Sequence, residues 1–184
     1  MMKLKRALIN LKRLLFPEDY LEKLRARGLK VGGNLNIQNG VILDDSHCWH
    51  ISIGNNVTLA PYVHILAHDA STKEFMGYTK IGKVDIGNRV FIGASSIVLP
   101  GVRIGDDVVI GAGSVVNIDI PSNSVAVGNP IKIVGTIEEF IDKKTKETQK
   151  FPLFDQSYTL GGNVSKDKRA EMNEMMKDRL GYIV

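Results

Sequence analysis

One cysteine, Cys48, in a chain of 184 residues leaves no partner for an internal disulfide and no thiolate set for a structural zinc, which points to a reducing compartment. Aromatic residues make up only 7% of the chain and tryptophan occurs once, a composition that suits a core of stacked aliphatics better than a sandwich. No apolar run approaches the roughly 18 residues of a membrane span. The start has no continuous apolar segment followed by a small-residue cleavage site, so a cytoplasmic protein is expected. The net charge is +4, but the basic residues are scattered and not interleaved with aromatics, which argues against nucleic acid as the partner. Acidic phosphate groups on a small ligand account for the charge equally well.

What the chain does hold is a repeat. From Ile86 to Pro121 it reads IGNRVF, IGASSI, VLPGVR, IGDDVV, IGAGSV, VNIDIP, with a branched aliphatic at Ile86, Ile92, Val98, Ile104, Ile110 and Val116. A period of six fits neither the 3.6 of a helix nor the alternation of a strand. It fits a short strand followed by a sharp corner, three of which close one 18-residue turn of a parallel β-helix. Each leading aliphatic then points inward and stacks on its equivalent one turn later, roughly 4.8 Å away. Gly87-Asn88, Gly105-Asp106 and Gly111-Ala112 fall at the corners, where residues that tolerate unusual backbone conformations are expected.

Ahead of the repeat, residues 1–30 show leucines at helical spacing, with Pro17 starting a second short helix and Gly28 stopping it. Lys3, Lys5, Arg6, Lys12 and Arg13 precede any acidic residue. Such a segment reads either as a plug for the open end of the coil or as a basic amphipathic helix making weak contact with a membrane surface. The repeat occupies residues 31–135 with two interruptions. One is Asp44-Asp45 with the insertion Ser46–His50; the other runs from His68 to about residue 80, and irregular excursions of this length are more often functional than accidental. Pro130 is expected to end strand pairing. Residues 136–184 read as a helical extension, with helices over about 137–149 and, after a Ser165 cap, 165–180. FPLFDQSYTLGGN between them reads as a loop, and the Met172, Met175, Met176 stripe reads as packing.

The IGxxVx blocks, the loop opening with His68 and the closing VAVGNPIKIV resemble the hexapeptide-repeat acyltransferases, and within them the galactoside, maltose and polysaccharide O-acetyltransferase branch. The resemblance spans roughly Val31 to Val134. It implies a left-handed parallel β-helix, a homotrimer, and acetyl-CoA lying in a cleft between neighbouring prisms. The implied reaction moves an acetyl group from acetyl-CoA to a hydroxyl of a sugar or polysaccharide precursor. An alcohol is a poor nucleophile at neutral pH, so a base must take its proton during attack, and histidine, with an ordinary pKa of about 6.5, suits that task. The resemblance places that base at His68, after Ala60-Pro61-Tyr62-Val63, whereas His64 reads as structural.

The same resemblance assigns a backbone oxyanion donor to Gly93-Ala94, the pantetheine channel to Ala112, further cofactor contacts to Asn117 and Ile118, and a CoA phosphate contact to Lys132. Gly135 stands where relatives carry a second basic residue, leaving Lys80, Lys83, Arg89 or Arg103 as substitutes. Asp44 and Asp45 fall where relatives offer a carboxylate to sugar hydroxyls, with Gln38 or Asn39 as their partner, and Trp49 reads either as a platform for a sugar ring or as a buried cap. No metal is expected. Three other readings stand beside this one. The first is N-acetylation of an amino sugar nucleotide. The second is a zinc-dependent, carbonic-anhydrase-like β-helix, since His47, His50, His64 and His68 cluster and His50 and His68 are 18 residues apart. The third is a scaffold that binds no CoA.

Overall fold

The structure, a computed structural model, describes residues 17–184, so the basic segment before Pro17 lies outside the described residues. They form two compact units, one ending at Ile137 and the other beginning at Glu138.

In the first unit the six-residue beat becomes three parallel sheets. Face one holds Lys30–Val31, Ile51–Ile53, Val84–Ile86 and Arg103–Ile104. Face two holds Asn36–Ile37, Thr58–Leu59, Val90–Ile92, Val108–Ile110 and Ser124–Val127. Face three holds Ile42–Leu43, His64–Ile65, Ile97–Val98 and Val115–Val116. Each leading aliphatic pairs with its equivalent one turn on: Ile86 with Ile104, Ile92 with Ile110, Val98 with Val116. All six are buried, so the interior is a stack of branched side chains held by the ladders around it.

The glycines of the corners work differently from the sequence expectation. The left-handed conformation falls on the residue two after Gly in two corners, at Arg89 (φ 54°) and Asp107 (φ 55°), and not on Gly87 or Gly105. Gly87 is needed for close approach: a Cβ there would lie 2.5 Å from Asp106 Oδ1 and 2.7 Å from the backbone of Gly105. That proximity lets Asp106 accept the Asn88 N–H at 2.6 Å and carries the hydrogen-bonded ladder up one edge of the coil. Gly87→Ala must therefore push adjacent turns apart. It is expected to cost about 1–3 kcal/mol, read as a lower urea midpoint at unchanged m-value.

Helix α1 (Pro17–Ala26) leads into the coil, with Leu24 and Leu29 buried in its core. It also braces the first interruption: Tyr20 donates to the Leu43 carbonyl at 3.0 Å, and the Cys48 thiol lies 3.6 Å from the Leu24 carbonyl. The second interruption is more ordered than an irregular excursion. His68–Asp69 pairs antiparallel with Lys80–Ile81, around the short helix α2 (Lys73–Met76). Pro130 does not end strand pairing. The chain reverses at the cis Asn129-Pro130 bond, and Lys132–Thr136 returns antiparallel along Ser124–Val127.

The second unit contains most of helix α3 (Ile137–Thr148) and all of helix α4 (Lys166–Met175), whose Ser165 cap accepts the Lys168 N–H at 3.2 Å. The segment expected to be a loop includes the strand Leu153–Phe154, paired with Tyr182–Ile183. Phe154 is its buried anchor, with Tyr158 at 5.2 Å. Met172 and Met176 are half-buried and Met175 is exposed. Among the described residues, no helix is long and apolar enough to cross a membrane.

Candidate active site

Both interruptions leave the coil at the same edge, between faces three and one. The first follows Leu43 and the second follows Ile65, and these residues are themselves register partners. The two insertions are therefore forced to stack. The Asp44 N–H donates to the Ile65 carbonyl at 2.9 Å, and the Ala67 N–H donates back to Asp44 Oδ2 at 2.9 Å. This ladder sets His68 directly beside the Asp44 carboxylate, to which its Nδ1 is hydrogen-bonded.

Asp44 is the organising charge. Its side chain is 2% exposed, and both oxygens are occupied. Oδ1 accepts from the Ser46 N–H at 3.2 Å, the Ser46 hydroxyl at 2.8 Å and the His47 N–H at 3.1 Å; Oδ2 accepts from Ala67 and His68. Burial by itself raises the pKa of this carboxyl. Hydrogen bonds from His68, Ser46 and the Ala67 N–H, together with attraction to the imidazole, outweigh that penalty and leave it below the ordinary 3.8. An ionised carboxylate can only accept, so the bonded His68 nitrogen is Nδ1–H and the free electron pair of the neutral ring is on Nε2. His68 is about a third exposed, with a side-chain exposure of 35%. The pair thus has the arrangement of a base with its orienting carboxylate.

A second imidazole joins this pair. The Ser46 hydroxyl lies 2.9 Å from His47 Nδ1 and 3.4 Å from His68 Nδ1, and the His47 and His68 rings are 4.8 Å apart. Because Ser46 spends its proton on Asp44, its oxygen accepts from His47 Nδ1. Trp49, half exposed, tilts against His47 at 5.4 Å and His50 at 5.7 Å.

The remaining expected site residues distribute unevenly. Asp44, expected to meet the acceptor, is instead buried and committed to His68, Ser46 and three backbone donors, so it does not face an acceptor. Asp45 is exposed beside it, with its carbonyl held by Arg27 at 3.3 Å. Gln38 bonds Asn36 at 2.8 Å. Gly93 and Ala112 touch at the edge between faces two and three, where a Cβ on Gly93 would lie 2.4 Å from the Ala112 nitrogen. The Gly93 N–H is spent on the Ile110 carbonyl at 2.8 Å and is no oxyanion donor. Ala94 is half-buried and Ala112 exposed on that same edge. Asn117 and Ile118 are exposed on the His68 edge, and Lys132 is exposed on the returning strand. Arg89 is bound through two nitrogens to Asp107, each at 2.6 Å. Within one copy, then, His68 and the Gly93, Ala94, Ala112 group lie on different edges of the coil. The zinc alternative paired His50 with His68; the structure brings His47 to His68 instead.

Residues 83–117 match the family model described as bacterial transferase hexapeptide (six repeats). A Bacillus subtilis (strain 168) protein, YvoF, named provisionally as an acetyltransferase, is 37% identical over 121 residues, covering 66% of this chain and 68% of its own. Of several relatives from Staphylococcus aureus, the chain covers 35% of the length. A maltose O-acetyltransferase from Clostridium difficile 630 superposes with a TM-score of 0.51 at 36% identity, over 62% of this chain and 72% of that one. A galactoside acetyltransferase solved with coenzyme A gives 0.52 at 26% identity, over 76% and 82%.

Proposed function

This chain belongs to the hexapeptide-repeat transferase family, and from that premise we propose that it is an acetyltransferase that uses acetyl-CoA to esterify a hydroxyl of a sugar or polysaccharide precursor. The observation that carries the reading is the buried Asp44 carboxylate holding His68 by Nδ1, which leaves Nε2 as the base. The acceptor hydroxyl attacks the thioester carbonyl as His68 Nε2 takes its proton. The new C–O bond forms, the C–S bond breaks, and the CoA sulfur leaves with the proton returned by the imidazolium. No covalent enzyme intermediate is required, and Cys48 is fully buried away from such a role.

The coil is read as left-handed, as in the family. The working unit is read as a homotrimer, because each copy carries its base on one edge and the Ala94–Ala112 group on another. A cleft between two copies can join such half-sites. There the Ala94 N–H is the proposed donor to the developing oxyanion, since that of Gly93 is spent. Ala112, Asn117 and Ile118 line the pantetheine arm and Lys132 meets a CoA phosphate. Asp45, which follows Asp44, and Trp49, which lies against His47, are both exposed and contact the acceptor. Support for the O-acetyl reading comes from the maltose and galactoside enzymes among the structural relatives. A cytoplasmic location, where acetyl-CoA is made, completes it.

The test is a thiol-release assay with acetyl-CoA across hexoses, nucleotide sugars and oligosaccharides. Acceptor-dependent CoA release with an alkali-labile product is expected. An alkali-stable amide product would move the protein to N-acetylation, and failure to bind acetyl-CoA at all would remove the transferase reading.

A further inference from the structure

Asp44, His47 and His68 each offer one ligand atom, and these atoms all lie within 4.8 Å of one another. We propose that this trio is an inhibitory binding site for a divalent transition cation of the Zn2+ type, and that the cation is an antagonist of acetyl transfer and not a cofactor for it. The inhibitory consequence rests on the acetyltransferase reading above; the binding itself does not.

The donor chemistry is that of zinc, one carboxylate and two imidazoles, which on a tetrahedral ion leaves the fourth position to water. Two donors on a tetrahedral zinc with bonds of ~2.0–2.1 Å stand about 3.3 Å apart. His47 Nδ1 is already 3.9 Å from Asp44 Oδ1, and His68 Nδ1 is in hydrogen-bond contact with Oδ2. The two rings are part-exposed, 27% and 35%, so closing the set asks for movement of side chains that are not locked in the core. The Asp44 carboxylate is also fixed in advance. Its bonds from the backbone N–H groups of Ser46, His47 and Ala67 survive metal binding and orient it as outer-shell donors do in metal sites. The only bonds a cation displaces at the carboxylate are those of the Ser46 hydroxyl and His68.

The consequence for catalysis follows from the tautomer. In the free site the His68 proton is on Nδ1 and Nε2 carries the electron pair. A cation taking Nδ1 moves that proton to Nε2, with the ring still neutral. The base nitrogen then has no pair with which to accept a proton from the acceptor. Metal binding and catalysis are thereby exclusive at one side chain.

The experiment uses the full-length, tag-free protein and Zn2+ alone, measured by calorimetry, with Co2+ visible absorption reporting coordination. One cation per chain is expected, with the intense d–d bands of a tetrahedral site. His47→Ala should weaken Zn2+ affinity by more than the ~10–100-fold that loss of an outer-shell partner costs. His50→Ala, whose ring stacks on His47 at 6.3 Å but lies outside the donor set, should leave affinity within about twofold. Where transfer is measured, each variant is referred to its own zinc-free rate, and His47→Ala should lose zinc sensitivity. Equal affinity in wild type and His47→Ala, equal weakening by His50→Ala, or no binding at all would overturn the proposal. None of these binding outcomes depends on finding an acceptor, so they separate failure of the metal site from failure of the transferase reading.

Discussion

Asp44→Asn should lower the turnover number by about 10²–10⁴-fold while leaving the acceptor KM nearly unchanged. The carboxylate makes two contributions at once. It holds the ring in place, and by accepting at Nδ1 it fixes the proton there and the electron pair on Nε2. An asparagine of nearly the same shape has one oxygen and one donating NH2. Two N–H groups, of Ser46 and His47, and the Ser46 hydroxyl face the Oδ1 position, against the single N–H of Ala67 at the Oδ2 position shared with His68, so the oxygen goes to the first and the NH2 falls toward His68. Facing a donor, Nδ1 must accept, and the proton moves to Nε2. The base is then in the wrong tautomer, the kind of defect that costs orders of magnitude where an Asp orients a catalytic His. A carboxylate that bound the sugar directly would instead show its loss mainly in KM.

The same substitution has a second readout in acid. Because the folded pKa of Asp44 lies below 3.8, its ionisation contributes stability that is fully present above that value. The contribution is lost as pH falls through the depressed folded value. Wild type should therefore lose stability on acidification more steeply than Asp44→Asn, a difference visible in melts at pH below about 4. If the two proteins lose stability in parallel, the carboxylate is not held as described.

How much of this site the sequence carried depends on which residues are considered. The repeat fixes the three faces, because a period of six admits one geometry and every leading aliphatic from Ile86 to Val116 lies in the core. His68 stands out in the sequence as the residue that opens the second interruption, and the family resemblance is what proposes it as the base. Its pairing with Asp44 does not stand out, because successive turns at this edge are 22 and 33 residues long, as Ile42–His64 and His64–Ile97 show, and no fixed spacing links the two. The missing signal was the phase of the interruptions. Both follow the third strand of a turn, and that register brings residue 44 level with residue 66, within reach of the Ala67 N–H and of His68. Ser46 and His47 were hidden for the same reason, inside an insertion with no repeat to register it. A proline ends regular pairing only where the chain runs on; here the chain reverses over residues 128–131, between the paired Val127 and Lys132, and the strand returns antiparallel.

His68→Ala is expected to have an effect of the same size by a different route: a fall of about 10²–10⁴-fold in transfer, with acetyl-CoA binding by calorimetry almost unchanged. Alanine removes the base but also leaves Asp44 buried with one fewer donor, so part of any loss could come from local collapse. Two measurements separate these causes. An unchanged urea midpoint and unchanged CoA affinity show that the coil and the cofactor cleft persist. Partial recovery of transfer on adding imidazole shows that the missing element is a proton acceptor, since a small base can occupy the vacated space but cannot refold a loop. A variant that turns over like wild type would remove His68 from the mechanism and return the site to a structural Asp–His pair that stitches two insertions together. Loss of CoA affinity in step with turnover would place the imidazole in cofactor binding instead of proton transfer. The edge of the coil where both insertions emerge would then be a wall of the thioester cleft and not its reacting end.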